Sequence, residues 1–559
     1  MTRSSSRRQS LTGWGRSSHS RSLVTSPGDD ATWAALFAHP GAGGVTLRGL
    51  GRAYGDAALN SGGVVASTRA QARTGSLDTV SGELVADGGA SIAEVLRMTV
   101  PMGWTIPVLP GTAHVTLGGA VAADVHGKNH VGAGSFSAAV RDVVLVSPGH
   151  GSRVVSREQE PEAFWATVGG LGLTGLVRQV RLQLEPITSS RLLEHSVAYP
   201  DLDSVLAAVS EADPAHHVVA WLDGHAGGAS NGRGVVSVAR HLEADELPDK
   251  LAQDPLRYSR RPALPSMAPG VTDLVRPGLV RLYNERKLAA ASRRQDPRVS
   301  SFAQVFHPLD AVRDWPRWYG PSGFIQYQFA VPPGQERLLG RSLELLRAAG
   351  VPPALVVLKR LGAASPAPLT FPGPGWTLAM DLPGRARELL RPVLDLLDDE
   401  VAAAGGRVYL VKDSRLRRDL LPAMYPELPR WMEVRQRLDA DGVLTSDLAR
   451  RLGLDGRSSG SRRRSADGST PSSQPTGASG RGTQSTVADR EARGRTRASD
   501  TASATASGVV ANGAGGRPAV MADVTNPALT TRTRTPLWVK RSPSPRKNAS
   551  SPAFVEPYT

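Results

Sequence analysis

Arg48-Gly-Leu-Gly-Arg-Ala-Tyr-Gly-Asp56 is the stretch on which the reading of this chain turns. Glycines at 49, 51 and 55 permit positive φ and let backbone N–H groups approach an anion, and Arg52 adds charge. A pyrophosphate suits such a loop. So does a tight turn between two strands, and the stretch alone leaves both open.

Three further Gly-rich segments follow within the first 175 residues: Val108-Leu-Pro-Gly-Thr112, Leu117-Gly-Gly-Ala-Val-Ala-Ala-Asp-Val-His-Gly-Lys-Asn-His130 and Phe164-Trp-Ala-Thr-Val-Gly-Gly-Leu-Gly-Leu-Thr-Gly175. The small residues around Gly118 and Gly119 allow close packing against a flat ring. His126, Lys128 and Asn129 put polar groups at the end of that segment. Between the segments, β-branched runs bounded by turn residues predict strands at Val64-Val65, Leu84–Ala86 and Asp142–Val146. Ser91–Thr99 predicts a helix, with Ser91 as N-cap, Glu94 completing a capping box and Pro101 ending it. From Leu176 apolar and polar residues alternate, the pattern of a half-buried strand. Beyond Leu192, strands at His217–Leu222 and Phe324–Val331 mix with helices at Glu336–Ala349 and Arg385–Ala404. The class is α+β rather than a regular βαβ alternation.

Three motif matches carry little weight. Gly170-Leu-Gly-Leu-Thr-Gly175 fits G-x-G-x-x-G, but a strand follows where a dinucleotide fingerprint needs a helix. Gly228-Ala-Ser-Asn-Gly232 fits a nucleophile elbow without its strand–turn–helix setting. His126 and His130 are four residues apart but lack a third ligand nearby, so no metal site is expected.

Charge excludes a further class. The chain carries a net +15, yet Gly456–Thr559 holds 16 Lys/Arg against 6 Asp/Glu, and Met1–Arg21 holds five Arg and no acid. Ser22–Asp455 is left with 45 basic and 45 acidic residues. A neutral body has no electrostatic footprint for nucleic acid, and none is expected as a partner. With no cysteine, disulfides, thiolate metal sites and a cysteine nucleophile are excluded. No apolar run resembles a signal peptide or a membrane span, so a location in the cytoplasm or peripheral at the inner membrane is expected. Gly456–Pro536 contains no aromatic residue and is rich in Ser, Thr, Gly, Ala and Arg, so 456–559 is expected to be a disordered basic tail.

Taken in order, the four Gly-rich segments resemble the vanillyl-alcohol-oxidase type of flavoprotein and, within it, the decaprenylphosphoryl-β-D-ribose 2′-oxidase family. The resemblance continues through Phe306-His-Pro-Leu-Asp310, Tyr319–Phe329, Leu358–Gly362, Phe371–Trp376, Gly406–Arg415, Ala423–Pro426 and Ser446–Leu452, covering about residues 8–454. It implies an FAD-binding domain at 8–190, an inserted antiparallel-sheet substrate domain at 191–406, and a return to the FAD domain at 407–455. Gly49, Gly51, Arg52, Tyr54, Gly55, Thr112, Gly118, Gly119, His126, Asn129, Tyr409 and Lys412 would hold FAD. Lys128, Trp221, Phe306, Gln326, Gln328, Lys359, Ala379 and Asp381 would meet substrate, with Leu361 in its apolar wall. Lys412, His126 and Gln328 would be catalytic.

The implied reaction moves a hydride from the sugar 2′-carbon to flavin, leaving a 2′-keto sugar on a polyprenyl phosphate. An NAD-dependent short-chain reductase would then complete an epimerisation. A lysine near the flavin would stabilise the charge left on the ring. Period-two spacing places Gln326 and Gln328 on one strand face, a setting for a sugar or phosphate. Two positions depart from the family pattern: Ala379 stands where a cysteine occurs in well-studied members, and Thr377 where an asparagine occurs. The cysteine is not needed for hydride transfer, and the departures bear on substrate identity. A soluble-aldonolactone or alditol oxidase, and a non-catalytic FAD-fold scaffold with a basic tail, are the competing readings. Retention of Lys412, His126 and both glutamines speaks against the scaffold.

Overall fold

The alternation beginning at Leu176 places Leu176–Gln183 at the centre of a five-stranded antiparallel sheet. Its order is Ser76–Leu77, Glu83–Asp87, Leu176–Gln183, Val140–Ser147, Gly151–Ser156. Val180 and Leu182 are fully buried, while Arg181 between them pairs with Glu83 and Asp142. The helix Ile92–Thr99 packs Ile92, Val95 and Leu96 into the same core. Its capping box closes as read: Ser91 Oγ accepts from the Glu94 N–H at 3.2 Å, and the Glu94 carboxylate accepts from the Ser91 N–H at 2.8 Å. This is a computed structural model describing residues 7–258, 274–294 and 296–456. The expected tail lies outside the described residues except for Gly456.

The Arg- and Ser-rich N-terminus forms a hairpin, Arg7–Thr12 with His19–Thr25, which the sequence reading did not foresee. Val64–Ser67 joins it in parallel and connects it to Val45–Arg48. Only its inner serines are buried, and Ser22 spends its hydroxyl on the Asn60 carbonyl at 2.8 Å. An outermost strand tolerates exposed polar side chains, so it need not be apolar.

The middle of the chain builds an eight-stranded antiparallel sheet. Its order is Arg298–Ser301, Arg191–Tyr199, Gly234–His241, His217–Leu222, Leu355–Leu361, Gly375–Pro383, Phe324–Val331, Arg407–Val408. Period-two alternation divides its residues between two environments. Ile325, Tyr327, Phe329, Leu358, Leu378 and Met380 share one core with residues of the helices Leu202–Glu211, Arg337–Ala348 and Arg387–Ala403. Gln326 and Gln328 therefore emerge on the other face, level with Asp381 and Ala379 across one ladder. Leu355, Val357 and Lys359 continue that face.

After Val408 the chain comes back to its N-terminal half. Val45 N–H donates to Val443 O at 2.8 Å, and Thr445 N–H donates to Val45 O at 2.9 Å. Arg451 joins Asp56 at 2.9 Å to Asp413 at 2.8 Å. Trp431, fully buried, donates its indole N–H to Ala166 O at 2.9 Å. Among the described residues, no helix is long and apolar enough to cross a membrane.

Candidate active site

The open face of the eight-stranded sheet looks into a cavity of about 320 Å³, whose other walls come from the N-terminal half, from Leu309 and Trp315 and from 409–412. Gly49, Gly51, Arg52 and Tyr54 line it from the first Gly-rich segment, and Thr112, Gly118, Gly119 and His126 from the next two. Gln326, Gln328, Lys359 and Ala379 line it from the sheet, with Tyr409 and Lys412 beside them. Segments hundreds of residues apart thus meet at one cleft.

The glycines work in two ways. Of the first three, only Gly51 has a positive φ, +65°. Gly49 and Gly55 are instead required by close approach: a Cβ would stand 2.4 Å from Thr116 Oγ1 at Gly49, and 1.7 Å from Asp413 O at Gly55. Gly55 is therefore the seam between the first Gly-rich segment and the returning chain, and it lies off the cavity wall. Thr116 caps the helix Leu117–Ala122 by accepting from the Gly119 N–H at 3.2 Å. Its Gly118 and Gly119 leave the wall flat and let the helix lie against Gly88 and Val177.

Two basic side chains at the cavity lie over aromatic rings. The Arg52 guanidinium lies 3.5 Å from the Trp14 ring centre, and the Lys412 Nζ lies 3.5 Å from that of Tyr54. Burial lowers the Lys412 pKa to about 7, with Asp381 opposing the shift and Lys359 adding to it. Burial also takes Lys359 to about 7 and Lys128 to about 8. Asp381 moves the other way, raised to about 7 by burial against the opposing bond from Gln326 and the charge of Lys412.

His126 is buried among Tyr409 and Phe371, which stack 4.4 Å apart. Gln328 donates its amide N–H to His126 Nε2 at 3.1 Å and to Thr377 Oγ1 at 3.2 Å. That bond makes Nε2 an acceptor and leaves the ring proton on Nδ1, which has no partner among the described residues. Burial, with Lys359, His130 and Lys412 nearby, holds His126 well below its ordinary pKa, so it is neutral. His130 is engaged structurally: Nδ1 accepts from the Gly362 N–H at 2.9 Å, and Nε2 meets Ser135 Oγ at 3.2 Å.

Several expected site residues lie off the cavity wall. Asn129 turns away to donate to Pro107 O at 2.9 Å. Lys128 donates to Val305 O. Phe306 is buried edge-on to His217, and Trp221 lies beneath Lys287 with Leu288 and Val235. Leu361 packs with Phe371 and Tyr409. Asp381 shares the face of Gln326 but does not line the cavity, and it accepts from Gln326 Nε2 at 2.5 Å. Sequence reading missed Trp14 and Asp310's role: Asp310 accepts from Thr112 Oγ1 at 2.6 Å and from the Ala113 N–H at 2.9 Å. Only a partner 198 positions away reveals it.

The site fits a flat, anionic cofactor. Its apolar floor is of small residues, Arg52 and Lys412 supply charge, and the unpartnered Nδ1 of buried His126 needs an acceptor. Residues 30–156 match the family described as FAD binding domain. Together these define an FAD-dependent oxidoreductase. The chain is 35% identical over 454 residues to decaprenylphosphoryl-β-D-ribose oxidase of Mycolicibacterium smegmatis, an alignment spanning 79% of this chain and 97% of that protein. An uncharacterized protein in the mprA 5′ region of Streptomyces coelicolor is 40% identical, over 65% of this chain and all of its own length. L-gulonolactone oxidase 5 of Arabidopsis thaliana is 30% identical over 135 residues, 22% of each chain. The protein belongs to the decaprenylphosphoryl-β-D-ribose oxidase family.

Proposed function

We propose that the protein oxidises the 2′-hydroxyl of decaprenylphosphoryl-β-D-ribose to the 2′-keto sugar, the first half of an epimerisation toward an arabinose donor for cell-wall arabinan. The carrying observation is the convergence of Gln326, Gln328, Lys359 and Lys412 on one cavity wall beside His126. Two amides and two ammonium groups suit a ribose hydroxyl array with a phosphate attached. FAD, when bound, supplies the hydride acceptor. Residues 8–190 with 407–455 form the cofactor-binding part, and 191–406 the substrate-binding part.

The geometry supports the following roles. Lys412 holds positive charge against Tyr54 at the cavity, where charge develops in the transition state. With a pKa of about 7 it is also present as the neutral amine, which can take up the hydroxyl proton and so become that cation. Gln328 positions neutral His126, and Asp381 positions Gln326. His126, Gln328 and Asp381 are themselves buried. The keto product is then the substrate of an NAD-dependent short-chain reductase.

Anaerobic bleaching of the flavin with polyprenylphosphoryl ribose, compared with free aldonolactones and alditols, tests the reading. Bleaching by the sugar lipid alone supports it. The similarity to L-gulonolactone oxidase, over 22% of each chain, is the observation behind the second reading, a soluble-lactone oxidase, and bleaching by a lactone alone would establish that instead.

A further inference from the structure

The helix Pro277–Arg293 is apolar on two opposite sides. Asn284 and Leu288 are buried on the inner side, where Leu288 packs with Trp221 and Val235, and Ala291 and Leu355 join them. Leu355 is itself part of the cavity wall, so the helix backs onto the site. At about 100° per residue, Leu279, Leu282 and Tyr283 point the other way. They are 53%, 48% and 58% exposed, and Leu274 just before the helix is 44% exposed. These four are among the twelve exposed large hydrophobic residues in the described chain, and no other stretch gathers as many. Scattered exposed side chains need no explanation, but a cluster marks an interaction surface.

Charge identifies the partner. The outward side continues into exposed Arg286 and Arg293, and exposed Arg276 stands just before its start. Glu285, the helix's one acid, is drawn off to Arg233. A second copy of the chain would set this basic face against another like it, which repulsion disfavours. Apolar side chains followed by arginines along one helix side match the depth profile of an anionic lipid surface. The location fits as well: Leu274 N–H donates to Trp318 O at 2.9 Å, and Trp315 of the same turn, Trp315–Tyr319, lines the cavity.

We propose that Leu274, Leu279, Leu282 and Tyr283, with Arg286 and Arg293, form a docking surface for an anionic phospholipid bilayer. Docking there sets the cavity beside the lipid, so that a membrane-held sugar lipid reaches it without passing through water. This second step rests on the substrate reading above; the docking itself does not.

The test uses the full chain and vesicles of phosphatidylcholine with and without phosphatidylglycerol. The parent protein pellets with the anionic vesicles. Leu279→Ser/Leu282→Ser/Tyr283→Ser weakens partitioning by about tenfold or more, and does so at high salt too, because apolar insertion is not screened. Arg286→Glu/Arg293→Glu weakens it at low salt only. Flavin content and melting temperature hold in both, since these side chains face solvent. Both variants keep the basic extension, so its contribution cancels. Equal partitioning of parent and triple-serine protein overturns the proposal. So does a dimer, seen by sedimentation velocity, that the serines dissociate while vesicle binding is unchanged. Partitioning is read without substrate, so failure to oxidise the sugar lipid would sink the substrate reading alone.

Discussion

Lys412 sets its ammonium group 3.5 Å from the centre of the Tyr54 ring, joining the returning chain to the first Gly-rich segment across the cavity. Burial disfavours the cation and lowers its pKa to about 7, against the opposing charge of Asp381. Lys412→Ala is expected to retain FAD, since the remaining walls are untouched, and to lose turnover by roughly 100-fold, the scale of one transition-state electrostatic contact. Single-turnover flavin bleaching checks it. An unchanged rate would return Lys412 to a merely structural place.

Gln328 spends one amide nitrogen on two partners, His126 and Thr377. Gln328→Leu leaves both ring nitrogens of buried His126 without a protein partner, at about 1–3 kcal/mol for the orphaned acceptor. Turnover should fall about 10- to 100-fold, with a smaller loss of stability because Thr377 still donates to Phe329 O at 2.9 Å. If melting and turnover fall in proportion, the residue acts through folding and has no positioning role.

Asp381 makes the pH dependence legible. Its folded pKa is raised from 3.8 to about 7, chiefly by burial. Between those values the unfolded chain has lost a proton that the fold retains. Stability from the buried neutral carboxyl is therefore full below about pH 4 and is lost as pH rises through about 7. Asp381→Asn lacks this dependence. The melting temperature of the parent minus that of the variant should fall from about pH 4 to pH 7 and level off above. A difference that rises over that window means Asp381 is ionised in the fold.

Local signals were readable and distant ones were not. The Ser91–Glu94 capping box needs only three residues of spacing, and the strand at Phe324–Val331 with both glutamines on one face needs only period two. The same spacing could not say which face is open, because that depends on three helices from elsewhere in the chain. Thr112 with Asp310, His126 with Gln328, and Gly55 with Asp413 are set by tertiary approach and leave no local mark. Most of the residues that the family resemblance named do line the cavity, though much of its lining was not named. The resemblance also named Asn129, Trp221 and Phe306, which here are committed to packing or to backbone carbonyls.

Gly55 offers the sharpest steric test, because its φ is not positive and only space is at issue. A Cβ there would meet Asp413 O at 1.7 Å and Asp413 C at 2.6 Å. Both are backbone atoms, and Asp413 is further held by Arg451, so neither side can yield cheaply. Gly55→Ala should force the first Gly-rich segment away from residues 409–413, costing about 3 kcal/mol or more. Tyr54 moves with it, so the protein should be purified with little flavin. Gly111 sits on the same cavity with nothing within 4 Å of a built Cβ and no positive φ. Gly111→Ala should leave melting unchanged within about 0.5 kcal/mol. Flavin absorbance per chain and thermal melts separate the two. If Gly55→Ala binds flavin as the parent does, the two segments are not in the close contact that shapes the site.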